Sequence, residues 1–290
     1  DLMPDEDQPK LKMQSIEATL GINELAEVKK KVEQARQKER EALEGKKPVP
    51  AAAAEETAVK VSTIQSDSRI DSLKKVIRDM EAKNLPDAGT ATAYSEIGSA
   101  YYASGNFQDA LSAYEKSLTL KEKTGDKAGQ SNVMAEIANV YETTYEYREA
   151  ISFYQKSARL KETLKDDKGL KDVTNNLGDV YYKQKLLTNS ILSYEKTVGI
   201  IQKLNMKEAL GPVYNKMGVA HYEMGNYADA KKFFRESLKS LNESGNRKEA
   251  SMTMNNLGNL LYIDNNFSEA ISYYERSLAS KKESKYDFGK

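Results

Sequence analysis

The chain has 290 residues, which is long enough for about two domains of ordinary size. It carries 44 basic and 44 acidic residues, and this balance argues against a nucleic-acid-binding protein, because such proteins present a large positive excess. No run reaches the ~20 apolar residues of a membrane-spanning helix. The absence of cysteine excludes disulfides and thiolate metal sites but does not distinguish the cytoplasm from the periplasm.

The N-terminal part differs in composition from the rest of the chain. Residues 1–45 are predicted to form a charged helical segment, in which Leu25, Val28, Val32 and Ala35 make an apolar seam. This seam is shorter than the three or four heptads of a coiled coil. We interpret the helix as solvated or docked on a partner, with a homodimer through it as an alternative. Residues 46–69 are predicted to be a linker that is rich in alanine and stiffened by its prolines.

From Ala91 the sequence divides without a gap into five blocks of forty residues: 91–130, 131–170, 171–210, 211–250 and 251–290. We number the places in each block from one to forty. Small residues fill place eight, namely Gly98, Ala138, Gly178, Gly218 and Gly258. Place 24 is aromatic throughout, with Tyr114, Tyr154, Tyr194, Phe234 and Tyr274. Such a period indicates stacked supersecondary units.

Helical spacing explains this pattern. Places 4, 7, 8 and 11 lie on one face of a first helix, and places 17, 20, 21, 24 and 28 lie on one face of a second. Small residues at places 8 and 20 let the two backbones approach, and the aromatic residues fill the remaining volume. Glycine and asparagine between the two helices are typical of helix C-termini. Each block is therefore predicted to be an antiparallel helical hairpin.

The blocks resemble tetratricopeptide repeats, whose usual length is 34 residues. They are similar to the forty-residue arrays of kinesin light chains and of bacterial sensor histidine kinases and signalling regulators. The resemblance implies an all-α, right-handed α-solenoid of five hairpins. We expect the six extra residues to lengthen the second helix and its following turn. The solenoid is assigned to residues 70–290, where a half-repeat at 70–90 supplies a capping helix near 70–83, and the natural chain is expected to continue after Lys290.

Catalytic chemistry finds no support in the sequence, so we predict no enzyme, no metal site and no cofactor. The one histidine, His221, stands at place 11 and is expected to pack between helices. The third block departs most from the pattern, because "KQKLLTNS" replaces the Gly–Asn turn and puts Ser190 where alanine is usual. We interpret this as an irregular turn, and contact of Leu186 and Leu187 with a neighbour or a partner is the alternative.

Packing leaves places 2, 5, 6, 9, 12 and 13 of the first helices for the concave wall of such a solenoid. Asparagine pairs with both groups of a peptide backbone, and tyrosine offers an apolar face with a polar tip. Ordinary solvated residues, with a structural hydrogen bond between repeats, are the alternative interpretation. The predicted groove residues are Asn139, Asn175, Asn176, Asn215, Lys216, Asn255, Asn259, Tyr102, Tyr182, Tyr222 and Tyr262.

The resulting hypothesis is a protein-interaction module that binds a peptide segment or a helix of a partner. Tetratricopeptide co-chaperones hold a C-terminal carboxylate, and Asn139, Asn176 and Lys216 match their pattern. Ala135 and Pro212 stand where that pattern needs lysines, which argues against a chaperone tail. We expect a polar ligand of mixed charge. The alternative function is a sensory or regulatory input domain of a bacterial signalling protein.

Overall fold

The computed structural model describes Gln34, residues 69–80, Ala82 and residues 87–286, and the regular secondary structure of these residues is helical. The predicted linker except Arg69, and the charged N-terminal segment with its proposed dimer helix except Gln34, lie outside the described residues. The fold predicted from the sequence, an all-α repeat solenoid, is confirmed.

A helix at residues 69–80, called the cap helix, precedes ten longer helices. The contacts divide the described residues after Asn205 into an N-terminal array (residues 69–205) and a C-terminal array (residues 206–286). The N-terminal array holds the cap helix, α1 (Asp87–Ala103), α2 (Phe107–Lys123), α3 (Lys127–Thr143), α4 (Tyr147–Leu164), α5 (Asp167–Lys183) and α6 (Leu187–Lys203). The C-terminal array holds a short 3₁₀ helix (Lys207–Ala209), α7 (Leu210–Glu223), α8 (Tyr227–Glu243), α9 (Arg247–Ile263) and α10 (Phe267–Tyr286).

Eight of the nine turns that join the ten longer helices have the same pair of hydrogen bonds, and the turn at Asn205 keeps one of them, from the amide of Asn205 to the carbonyl of Gln202. In the first, the amide of Asn106 donates to the carbonyl of Tyr101, and the amide of Gly105 donates to that of Tyr102, which is a Schellman motif. The central residue has a positive φ and recurs every twenty residues, at Gly105, Gly125, Tyr145, Lys165, Lys185, Asn205, Gly225, Gly245 and Asn265. The forty-residue repeat is thus built from two helix–turn units of twenty residues each.

This spacing corrects one expectation about the six extra residues. These six residues do not lengthen only the second helix and its following turn, because residues 127–130 form the first turn of α3. Ahead of α7 a 3₁₀ helix at Lys207–Ala209 replaces the corresponding first turn. Pro212 explains the change, since proline is tolerated in the first turn of an α-helix but not further inside it. By starting at Leu210, α7 keeps Pro212 within its first turn.

Close approach of the two helices explains the small residue at place eight. A Cβ atom built on Gly98 would lie 2.6 Å from the Tyr114 ring, and one on Gly178 would lie 2.5 Å from the Tyr194 ring. The second repeat places Ala138 opposite Tyr154, and both are fully buried. The predicted packing of places 8 and 24 is therefore confirmed.

Buried hydroxyl groups join the two helices of a hairpin. The Oγ of Ser117 donates to the carbonyl of Ala91 at 2.6 Å, and Ser157 repeats this bond to Ser131 at the same distance. Ser190, the departure from alanine in the third repeat, is fully buried and donates to the carbonyl of Gly178 at 2.9 Å. Its hydroxyl is therefore satisfied inside the hairpin.

A charged corner joins consecutive repeats of the N-terminal array. Lys161 is only 4% exposed, and its Nζ lies 3.0 Å from Oδ2 of Asp166 and 2.6 Å from Oδ1 of Asn132. The other carboxylate oxygen of Asp166 caps α5 by accepting from the amide of Gly169 at 2.9 Å. Lys121, Asp126 and Gly129 build the same corner one repeat earlier.

The cap helix packs on the first hairpin. Ile70 and Ile77 are buried, and Ile77 lies in one apolar cluster with Ala93, Ile97 and Ala113. The helix thus covers apolar side chains of both α1 and α2, as terminal helices of repeat arrays do.

Candidate peptide-binding face

The first helices α1, α3 and α5 of the N-terminal array and α7 and α9 of the C-terminal array present the predicted groove residues, and we call the outward side of these helices, in either array, the first-helix face. All eleven residues are half-buried, so each retains some surface for a ligand. The N-terminal array carries Tyr102, Asn139, Asn175, Asn176 and Tyr182. The C-terminal array carries Asn215, Lys216, Tyr222, Asn255, Asn259 and Tyr262.

The polar residues at place nine have an internal partner that the sequence did not reveal. The hydroxyl of the buried aromatic residue at place 24 reaches them across the hairpin. Tyr154 donates to Asn139, Tyr194 donates to Asp179 at 2.7 Å and Tyr274 donates to Asn259 at 2.9 Å. In the fourth repeat both members of this pair are different. Phe234, which has no hydroxyl group, stands at place 24, and Val219, whose side chain cannot accept a hydrogen bond, stands at place nine.

Burial keeps these tyrosines protonated. It raises the pKa of Tyr114 to about 12, and it also raises the pKa of Tyr154 and Tyr194. For Tyr154 the neighbouring carboxylate of Glu142, which accepts a hydrogen bond from its hydroxyl at 2.7 Å, acts in the same direction. The hydroxyl groups therefore act as donors, and the place-nine side chains act as acceptors.

We expect Tyr194→Phe to lower the free energy of unfolding by about 1–2 kcal/mol, because Asp179 then loses a donor at the edge of the hairpin. The double variant Tyr194→Phe/Asp179→Val, which copies the pairing of Phe234 and Val219, should recover most of this loss. Urea unfolding followed by circular dichroism measures both values. If the two substitutions are simply additive, the hydrogen bond does not couple these places.

The asparagines at place five also make contacts within the protein. Oδ1 of Asn215 accepts from Nδ2 of Asn256 at 3.0 Å and from Oγ1 of Thr253 at 3.2 Å, which links α7 to α9. Nδ2 of Asn175 lies 3.4 Å from Oδ2 of Asp179 on its own helix. For Asn215, the structural hydrogen bond between repeats that the sequence left as an alternative is present.

Each tyrosine at place 12 contacts a side chain in the following turn or at the start of the next helix. Tyr102 lies 5.8 Å from Phe107, Tyr222 lies 5.7 Å from Tyr227 and Tyr262 lies 5.4 Å from Phe267, measured between ring centroids. Tyr182 instead lies under the ammonium of Lys185, 5.2 Å from its ring centroid. These contacts hold each ring in place while part of its surface remains accessible, which suits a rigid interface residue.

Polar bonds also join neighbouring first helices of the N-terminal array. The hydroxyls of Tyr102 and Thr143 are 2.8 Å apart, and Nζ of Lys183 lies 2.7 Å from Oε1 of Glu142. Both bonds run from place 12 of one repeat to place 13 of the next. The face is therefore a connected surface of mixed charge within this array.

His221 packs as expected. Its ring stacks on Phe233 at a centroid distance of 5.2 Å, and its side chain is 14% exposed. Among the described residues, no cluster of histidine, cysteine, aspartate and glutamate could hold a metal ion. Within the same part of the chain, no helix has the length and apolar character needed to cross a bilayer.

Sequence reasoning did not anticipate two cavities on the other side of the N-terminal array, between the second helices. One of about 450 Å³ lies between the cap helix and α2, and one of about 390 Å³ lies between α4 and α6. The residues on their floors are two repeats apart in the sequence. The signal in the sequence is place 23, which is aromatic in three blocks and small in the first and third.

Known structures share this fold. The protein BtubC from P. vanneervenii is 15% identical, with a TM-score of 0.67 over 79% of this chain and 92% of that one. A Podosopora anserina structure of kinesin light chain type, with nearly identical TPR-like repeats, is 15% identical, with a TM-score of 0.58 over 68% of this chain and 97% of that one. Apo RapI is 12% identical, with a TM-score of 0.67 over 88% and 74%.

A search of curated proteins by sequence found no match. The model of the tetratricopeptide repeat family matches residues 89–163, 172–243 and 210–283. These ranges cover more than half of the chain and coincide with the hairpins described above. Repeats of this family are protein-interaction modules and in general act without catalysis. The chain belongs to the tetratricopeptide repeat family.

Proposed function

We propose that this protein binds an extended peptide segment or a helix of a partner protein on its first-helix face. The observation that carries the proposal is the row of half-buried asparagine and tyrosine side chains, which packing of the hairpins does not use fully. The amide of Asn176 and the ring of Tyr222 are examples from the two arrays. A ligand backbone would bond the amides, and its side chains would pack on the fixed rings.

The test uses a random peptide library displayed on phage and selected against the full chain. For a peptide selected in this way, either Asn176→Ala in the N-terminal array or Tyr222→Ala in the C-terminal array should weaken binding by about 1–2 kcal/mol, according to which array the peptide occupies, as measured by isothermal titration calorimetry. Lys239→Ala, an exposed change on α8, is the matched control and should leave the affinity unchanged. Unaltered binding by both groove variants would disprove the assignment of this face.

A regulatory input domain of a bacterial signalling protein is the second candidate, and it rests on the similarity of the forty-residue blocks to such arrays. A sensor of this kind would also need a ligand, so the two candidates share the first-helix face. The reading frame that encodes the natural protein discriminates between them, because an adjoining kinase or DNA-binding domain supports the input domain and its absence contradicts it.

A further inference from the structure

The two cavities of the N-terminal array are the same feature repeated after eighty residues. The first has Tyr94, Ile97 and Tyr101 on its floor, and the second has Thr174, Leu177 and Tyr181. These are places 4, 7 and 11 of repeats one and three. Both cavities open on the side of the second helices, away from the first-helix face.

The size of the side chain at place 23 determines whether this space is open or filled. Repeats two, four and five have Phe153, Phe233 and Tyr273 there, whereas repeats one and three have Ala113 and Ser193. In the second repeat, Phe153 stacks on Tyr141 of place 11 at 5.7 Å and 26°. It packs against buried residues of the first and second hairpins. An aromatic ring therefore fits this space when the chain supplies one.

Repeat two also shows how a ring is held. Nζ of Lys156, at place 26, lies 4.7 Å from the centroid of Phe153, so the ring has Tyr141 on one side and a cation on another. Repeat one retains both of these groups, as Tyr101 and Lys116, but lacks the ring between them. Lys116 lies instead over Tyr94, at 5.3 Å.

The charges at the first cavity indicate what kind of segment would bring the ring. Lys74 and Arg78 of the cap helix and Lys116 of α2 line its rim and are exposed, against a single carboxylate from Asp109. Nζ of Lys74 lies 5.5 Å from the centroid of Tyr101, which adds a second cation over an aromatic face. This rim favours acidic residues beside the inserted side chain.

The second cavity is less suited to an acidic segment. Its rim cation Lys196 is paired with Glu162, and the hydroxyl of Tyr181 on its floor accepts from Gln155 at 2.8 Å. Arg159 is the remaining cation on that rim. The cavity beside the cap helix is therefore the one whose rim charges favour an acidic segment.

We propose that the cavity between the cap helix and α2 binds an aromatic side chain from an acidic segment of a partner protein. The guest ring takes the position that Phe153 occupies one repeat later, between Tyr101 and Lys116. This docking site is separate from the first-helix face, so it holds whether or not that face binds peptides.

The probe is a fluorescent, end-blocked peptide of sequence Glu-Asp-Phe-Asp-Glu, titrated into the full chain and followed by fluorescence polarisation. We expect saturable binding that weakens at least about tenfold when the phenylalanine is replaced by alanine. Replacing the acidic residues by their amides should also weaken it and remove most of its salt dependence. A peptide that binds equally well without its aromatic residue would overturn the proposal.

The decisive variant is Ala113→Phe, which gives repeat one the residue that repeat two has at this place. It should lower the affinity for the peptide at least about tenfold while keeping the helical signal and the melting temperature. Ser193→Phe, the matched change in the second cavity, should leave the affinity unchanged. Lys116→Glu alters only an exposed position, so it provides the same test if Ala113→Phe does not fold.

Two results would contradict this site. Equal affinity of the wild type and Ala113→Phe would mean that the peptide binds elsewhere. Sedimentation that shows a dimer of the wild type and a monomer of Ala113→Phe would make a second copy of this chain the occupant, in place of a partner protein.

Discussion

Asp166→Ala is expected to lower the free energy of unfolding by about 2–3 kcal/mol. The substitution removes the cap of α5, where the carboxylate accepts from the amide of Gly169. It also leaves the ammonium of Lys161, which is 4% exposed, without its counter-ion. Urea unfolding of the full chain, followed by circular dichroism at neutral pH, measures the loss.

The fourth repeat supplies the control. Asn246 caps α9 by accepting from the amide of Glu249 at 3.2 Å, but Leu241 stands where Lys161 stands in the second repeat. Asn246→Ala should therefore cost only the cap, about 1 kcal/mol. If Asp166→Ala costs no more than Asn246→Ala, the buried lysine does not depend on its carboxylate.

Acid should remove the difference between wild type and Asp166→Ala. The amide of Gly169 and then the ammonium of Lys161 hold the pKa of Asp166 below its ordinary value of 3.8. Because the pKa is lower in the folded state, this stabilisation is complete above pH 3.8 and is lost as the pH falls through the folded value. The two proteins should converge in stability as the pH falls below the folded-state pKa of Asp166, whereas a constant difference would exclude the ionised carboxylate as the cause.

Gly98→Leu is expected to lower the free energy of unfolding by about 1–3 kcal/mol. A Cβ atom at this position would already lie 2.6 Å from the ring of Tyr114, so the larger side chain must push α1 and α2 apart. Thermal and urea unfolding of the full chain give the change in stability.

Two further variants test whether packing is the cause. Ala103→Leu adds a similar side chain at an exposed position of α1 and should change the stability little. Gly98→Ala should cost less than the leucine, since Ala138 is accommodated opposite Tyr154 in the second repeat. A Gly98→Leu protein as stable as the Ala103→Leu protein would show that the approach of the two helices is not tight.

Much of the fold could be predicted from the sequence because packing imposes the same residue types on every repeat. The small residue at place 8 and the ring at place 24 are sufficient to identify the hairpins. The helix ends could not be predicted as well, since the block boundary at Ala91 falls inside α1, which begins at Asp87. Periodicity fixes the length of a repeat but not its phase relative to the turns.

The candidate site could be predicted only as a set of positions. Helical spacing placed Asn139 and Asn215 among the residues that the hairpin core does not need. It could not show that Asn139 accepts from Tyr154 or that Asn215 accepts from Asn256, because these partners lie 15 and 41 residues away. Whether each amide has bonding capacity left for a ligand depends on such distant neighbours.

The sequence by itself determined the repeat, the hairpins and the residues that face outward, because each follows from local periodicity and side-chain volume. Only the tertiary structure decided which polar groups are already bonded and where space remains. The cavity beside the cap helix exists because Ala113 is too small to fill a volume enclosed by helices from different repeats. A volume of this kind belongs to the packed array, and no single repeat contains it.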